Sequence, residues 1–191
     1  MEHYQEHQVL RDFTISNGTL RNAEFTECTF ENCEIENTEL TDCTFTDCVF
    51  SKCRIIHPKF DGCTMSSCDF IDCRLFGINW NELTSGFLAP IAHLQGCQLK
   101  YNNFVEVDYP RFSFEDNDIL ESLFADCSLS HSRFCRCHLN QTEFFRCDLT
   151  GASFENAQGY TVDIGTCKLK RAVFSFPEVT NLLSGLGIVI K

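Results

Sequence analysis

The chain has 191 residues, 43% of them apolar and 22% charged, which is enough to bury the core of one domain and excludes a disordered polymer. With 27 acidic against 15 basic residues the formal charge is -12, so a nucleic-acid ligand is repelled and a basic partner attracted. No apolar run nears the roughly 18 residues of a membrane helix, and the opening MEHYQEHQVL has no apolar signal core, so the expected setting is the cytoplasm, without membrane or direct nucleic-acid contact.

Residues 1–9 form a polar opening segment. A first block, 10–80, then places a large apolar residue at every fifth position: Leu10, Ile15, Leu20, Phe25, Phe30, and so on without a break to Leu75. A period of five suits neither a helix, which would rotate successive anchors off one face, nor a straight strand, on which odd spacing flips them. The chain must turn once per repeat. Small residues, most often Cys, stand two places before each anchor and share its inward side, while Gly, Asn, Asp, Thr and Ser crowd the outward corner places.

Residues 81–93, NELTSGFLAPIAH, predict an irregular coil in which Pro90 cannot donate a ladder bond. A second block, 94–174, resumes the period from Leu94 to Phe174, with Tyr109 and Gly159 as weak members. In 175–191 the pattern changes. Pro177 suits the first turn of a helix, Leu182, Leu183 and Leu186 share a face, and Gly187 ends it before an apolar strand, Ile188 to Ile190.

Anchors twenty apart resemble each other more than anchors five apart: Phe30, Phe50, Phe70 form one column, Ile15, Ile35, Ile55, Leu75 another, and Phe114, Phe134, Phe154, Phe174 a third. Four repeats therefore make one coil. The expected fold is all-β, a right-handed quadrilateral β-helix of about eight coils with rungs about 4.8 Å apart, closed by a short carboxyl-terminal helix and strand.

Thirteen of the fourteen cysteines take the inward place, where free Cys serves as a small apolar filler. Cys135 stands at an outward place beside Arg136 and is the one candidate for an exposed thiol; Cys135 and Cys137 point to opposite sides, which argues against chelation. The six histidines form no H-E-x-x-H, and no phosphate loop, nucleophile elbow or dinucleotide fingerprint is present. The expectation is a binding protein with no metal, no cofactor and no catalytic residues. From Asn22 to Ser51 there are eight acidic residues and no basic one: Glu24, Glu27, Glu31, Glu34, Glu36, Glu39, Asp42 and Asp47. Wrapped four repeats per coil, they form an acidic belt on all sides, readable as a docking surface or as a solubilising one.

The blocks FTECTFENCEIENTELTDCTFTDCVF, the break around CRLFGINWNE and the ending NLLSGLGIVIK resemble the pentapeptide-repeat proteins that protect type II topoisomerases, the group of Qnr, MfpA, AlbG and McbG. The resemblance covers nearly the whole chain. It implies a homodimer joined tail to tail through Phe176, Leu182, Leu183, Leu186, Ile188, Val189 and Ile190, forming a rod that mimics DNA. The implied partner is DNA gyrase or topoisomerase IV, protected from quinolones or from a gyrase-poisoning toxin, through the acidic belt. The chain departs from that group in having mostly Cys instead of Ala at the inward place and in lacking long projecting loops. The alternative is a general scaffold with an unrelated protein partner.

Overall fold

The computed structural model describes residues 4–85, 89–186 and 188. It is a parallel β-solenoid of about eight turns with little helix, built from strands mostly three residues long. Two compact units divide it, residues 1–102 and 103–191. Among the described residues no helix is long and apolar enough to cross a membrane.

In the first unit the four sides are set by the pentapeptide anchors, and the register steps by twenty: Phe25 pairs with Phe45, Phe30 with Phe50, Ile35 with Ile55 and Leu40 with Phe60. The ladder begins inside the polar opening segment, where Tyr4–Glu6 pairs with Glu24–Thr26. Like residues lie on like: the rings of Phe30 and Phe50 stack at 4.7 Å, and those of Phe50 and Phe70 at 4.9 Å. Such stacks bury the apolar surface that drives the coil together, about 25 cal/mol for each Å² withdrawn from water.

Each corner puts the second residue after the anchor into the left-handed region, at φ 54° for Asn32, 51° for Asp42 and 54° for Lys52. That conformation costs an L-residue about 1–2 kcal/mol, and Asn and Asp, which tolerate it best, hold many of these places. Where glycine stands in the corner column, a second reason applies at Gly77: its φ is +64° and a Cβ would collide with the His57 ring.

The inward place two before the anchor is more than filler. The Cys53 thiol donates to the Phe30 carbonyl of the preceding coil at 3.2 Å, and Thr38 Oγ1 makes the same bond to Ile15 at 3.2 Å. In the second unit hydroxyls make the equivalent bond, Ser132 donating to Tyr109 O at 2.6 Å and Thr142 to Ile119 O at 2.7 Å. The place selects a small side chain with a hydrogen to give. All fourteen cysteines are free.

The irregular coil has a defined length. Leu75 pairs with Leu99 and Phe70 with Leu94, so this coil holds twenty-four residues where its neighbours hold twenty. The extra length enters after the 3-10 turn Trp80–Glu82, because Thr64 still pairs with Thr84 at a step of twenty, whereas Cys68 pairs with Ile91 and, past a register shift, Asp69 with His93. Trp80 continues the period of five beyond Leu75 and fills the core at 1% exposure, against the edge of Phe70 at 5.8 Å. Pro90 accepts from the Cys68 N–H at 3.0 Å, using the one ladder group a proline retains.

In the second unit Phe104, Phe124 and Phe144 form one stack, and Phe114, Phe134, Phe154 and Phe174 another, at 4.4 to 5.1 Å between neighbouring rings. The period slips once. Phe144 pairs with Val162, eighteen residues on, and Tyr160, not Gly159, enters the core at 1% exposure. A turn at 163–166 restores the count, with Asp163 O accepting from Cys167 N–H at 2.9 Å. The closing helix is a 3-10 helix, Glu178–Leu186.

Candidate interaction surface

The acidic belt occupies all four sides of the first unit. Glu24, Glu27 and Asp47 lie on the Phe25 side, Glu31 on the Phe30 side, Glu34 and Glu36 on the Ile35 side, Glu39 and Asp42 on the Leu40 side. Strand alternation sends the anchor inward and its neighbours outward, so each carboxylate is exposed or half-buried.

Half of the belt is paired across coils. Arg11 Nε donates to Glu31 at 2.6 Å, Lys59 lies 3.5 Å from Glu39, His7 lies 3.0 Å from Glu27, and Arg54 pairs with Glu36. For Glu24, Glu34, Asp42 and Asp47 there is no ion pair among the described residues. The Phe25 side is the most acidic: Glu6, Glu24, Glu27 and Asp47 project from it with no Lys or Arg among the described residues.

The second unit is closer to charge balance, with 12 acidic residues against 8 basic ones where the first has 15 against 7. Arg136 holds Asp116 through two bonds, 2.7 and 2.8 Å, and Arg146 holds Asp126 through two of 2.6 Å. These guanidinium hydrogen bonds pull both carboxyls below their usual range. Asp148 is also lowered, first by its hydrogen bond with Thr150 and then by Lys168.

The carboxyl-terminal end of the second unit is apolar and partly uncovered. Phe176 is 83% exposed, Leu186 and Ile188 54% each, and Leu182 and Leu183 are half-buried. Leu182 and Leu186 also line a groove of about 780 Å³ with Leu123, Phe145, Val162 and Ile164. Val189 and Ile190 lie outside the described residues.

The expectation of an exposed Cys135 thiol is corrected. Cys135 is buried, with Sγ 3.3 Å from Ser153 Oγ. The corner here is closed by a bond from Cys137 N–H to Phe134 O at 3.3 Å, and Ser153 of the next coil lies against the thiol. Its neighbour Cys137 is driven up to about 12 by burial, which leaves no nucleophilic thiolate there at neutral pH. Among the described residues no three His, Cys, Asp or Glu groups converge as metal ligands would.

Two sequence models of pentapeptide repeats match the chain: the pentapeptide repeat region over residues 23–104, and the eight-copy pentapeptide repeats over 122–158. The chain is a pentapeptide-repeat protein. No curated protein matches this pentapeptide-repeat chain. Among solved structures it is similar to a trypsin-treated variant of QnrB1, a plasmid-mediated fluoroquinolone resistance protein, at 14% identity and TM-score 0.46, over 95% of this chain and 99% of that one. Full-length QnrB1 gives 21% identity, TM-score 0.36 and coverage of 97% and 100%. HetL, involved in heterocyst differentiation regulation in the cyanobacterium Nostoc sp. strain PCC 7120, gives 11%, 0.44, 88% and 85%. These likenesses concern the fold alone.

Proposed function

We propose that this pentapeptide-repeat protein is a DNA mimic that docks on the DNA-gripping surface of a type II topoisomerase, DNA gyrase or topoisomerase IV. In this role it protects the enzyme from a quinolone or a poisoning toxin. The observation that carries the reading is the belt, whose outward carboxylates Glu24, Glu34, Asp42 and Asp47 have no ion pair among the described residues. Lysines and arginines that hold phosphates can take such carboxylates in their place. The resemblance of the repeat blocks and of the ending NLLSGLGIVIK to the topoisomerase-protecting group names the enzyme. The active form is a homodimer joined through Phe176, Leu182, Leu183, Leu186 and the Ile188 to Ile190 segment.

The test is a gyrase supercoiling and DNA-competition assay, with and without a topoisomerase poison. Reversing Glu24, Glu34, Asp42 and Asp47 to Lys weakens gyrase binding at low salt, where exposed charges count most. Reversing the already paired Glu27, Glu31, Glu36 and Glu39 weakens it less. Equal binding by parent and first variant would falsify the belt as docking surface. Removing the residues after Phe176 yields a monomer by light scattering; an unchanged dimer mass refutes the tail interface.

A second reading, a scaffold for an unrelated protein, is favoured by the cross-coil neutralisation of Glu31, Glu36 and Glu39, which lowers the charge a DNA mimic would present. On that reading gyrase is not bound at all.

A further inference from the structure

The outward face of the Ile35 side differs in kind from the other three. Counting each corner with the side before it, the Phe30 side bears Arg11 and Lys52 against Asp12, Glu31, Asp69 and Asp72, and the Leu40 side bears Arg21 and Lys59 against Glu39, Asp42, Asp61 and Glu82. The Phe25 side has acids only. On the Ile35 side Arg54, Arg74 and Lys100 outnumber Glu34 and Glu36, so this is the one side of the first unit, among the described residues, with a cationic excess.

The cations are arranged. Arg54 and Arg74 occupy adjacent rungs in register, and Lys100 stands on the next rung beside Phe76. Ile56 and Phe76, also in register, fill the parallel outward row where the coil before them has Glu36. Both are half-buried, an apolar pair on a face where solvent selects polar residues. A hollow of about 330 Å³ lies at the edge of this face, lined by Lys52, Arg54 and Arg74 together with Asn32, Glu34 and Asp72. Among the described residues neither Lys52 nor Arg74 has an ion pair.

From this we infer that the Ile35 side, beyond the belt residues Glu34 and Glu36 that it also carries, is a docking face for an acidic amphipathic helix of a partner protein. The rungs are about 4.8 Å apart. A helix laid along them advances about 4.5 Å from i to i+3 and about 10 Å from i to i+7, so carboxylates at those positions fall on Arg54, Arg74 and Lys100 in turn. An extended segment presents same-side residues about 6.8 Å apart and drifts out of step after one rung. The hollow beside Lys52 receives one carboxylate, and the apolar flank of the helix covers Ile56 and Phe76, shielding the ion pairs from water.

The probe is a labelled alanine-based helical peptide with Glu at i, i+3 and i+7 and Leu on the adjoining flank, titrated against the full chain by fluorescence anisotropy at low salt. Binding is expected, with about tenfold loss in the Arg54→Gln, Arg74→Gln double variant and a comparable loss in Phe76→Thr, which removes no charge. Circular dichroism of each variant reports the fold, and Lys100→Ala serves should the double variant unfold. Three results overturn the inference. One is equal binding of a peptide with Lys at the Glu positions. Another is an affinity unchanged in both the charge and the Phe76 variants. The third is tighter binding of a single-stranded oligonucleotide of matched charge, lost in the same variants, which would make the face a nucleic-acid surface. Gyrase binding is read separately, so failure here leaves the belt untouched.

Discussion

Among the described residues, every corner between Leu10 and Leu75 is an open bend, whereas on two sides of the second unit the corner is closed. There an N–H donates three residues back, as from Ser132 to Leu129 at 3.1 Å, Ala152 to Leu149 at 3.0 Å and Ala157 to Phe154 at 3.1 Å. The open corners leave three-residue strands between them; the closed ones reduce the strand to a single bridging residue, as at Ser128, Arg133 and Asp148. Both kinds hold the residue two past the anchor at positive φ, 54° at Asn32 and 57° at Asn156. The stacked core therefore fixes the bend, and the local hydrogen bond decides only how sharply the chain turns.

If the core is the common cause, truncating it damages both units alike. Phe50→Ala and Phe134→Ala should each cost about 3–5 kcal/mol in denaturant unfolding, as for a buried aromatic. A cost below about 1 kcal/mol in either unit would show that its corners, not its stack, hold the coil. The corners come next. A β-branched residue is least at ease at positive φ, so Asn32→Val and Asn156→Val should each lose about 1–2 kcal/mol; a larger loss at Asn156 would mean that the closed turn is the more demanding.

Smaller still is the inward donor. Cys53→Ala and Ser132→Ala each remove a side-chain hydrogen bond to a carbonyl of the preceding coil, at about 1 kcal/mol, while Cys53→Ser should be nearly neutral. Equal losses for Ala and Ser at position 53 would return the thiol to the role of filler.

The smallest effect distinguishes the units by charge. Asp116, Asp126 and Asp148 titrate below their unfolded value, so the stability they add is present above the ordinary carboxylate pKa of about 4 and is lost as pH falls through the lowered one. Asp116 and Asp126 are exposed and Asp148 is half-buried, so the effect is slight. An acid titration followed by circular dichroism should show it in the parent and less of it in Asp126→Asn.

The columns Phe30, Phe50, Phe70 and Phe114, Phe134, Phe154, Phe174 were legible because a large apolar residue at fixed spacing has one way to be buried in a turning chain. Trp80 and Tyr160 were harder. Trp80 keeps the period but leads into a 3-10 turn, and Tyr160 is displaced by one residue because the coil beneath it is two residues short. A displaced aromatic beside a glycine, Gly159-Tyr160, is the signal that could have found it. Cys135 was misread because position relative to the anchor gives the direction of a side chain and not the cover that a residue of the next coil, here Ser153, lays against it. For the belt, spacing indicates which residues face outward, but the Arg11, Arg54 and Lys59 partners stand eighteen to twenty residues away and become visible only once coils are stacked.

The inward donors also give the solenoid a direction in time. Cys53 reaches back to Phe30, Cys73 to Phe50 and Cys147 to Phe124, each to a carbonyl twenty-three residues nearer the amino terminus. A chain leaving the ribosome at about 5–20 residues per second thus meets each acceptor already in place when its donor emerges. Every completed coil presents acceptors to the next, whereas a coil that lacks its predecessor keeps only the local acceptor of each thiol, as Ser51 O for Cys53.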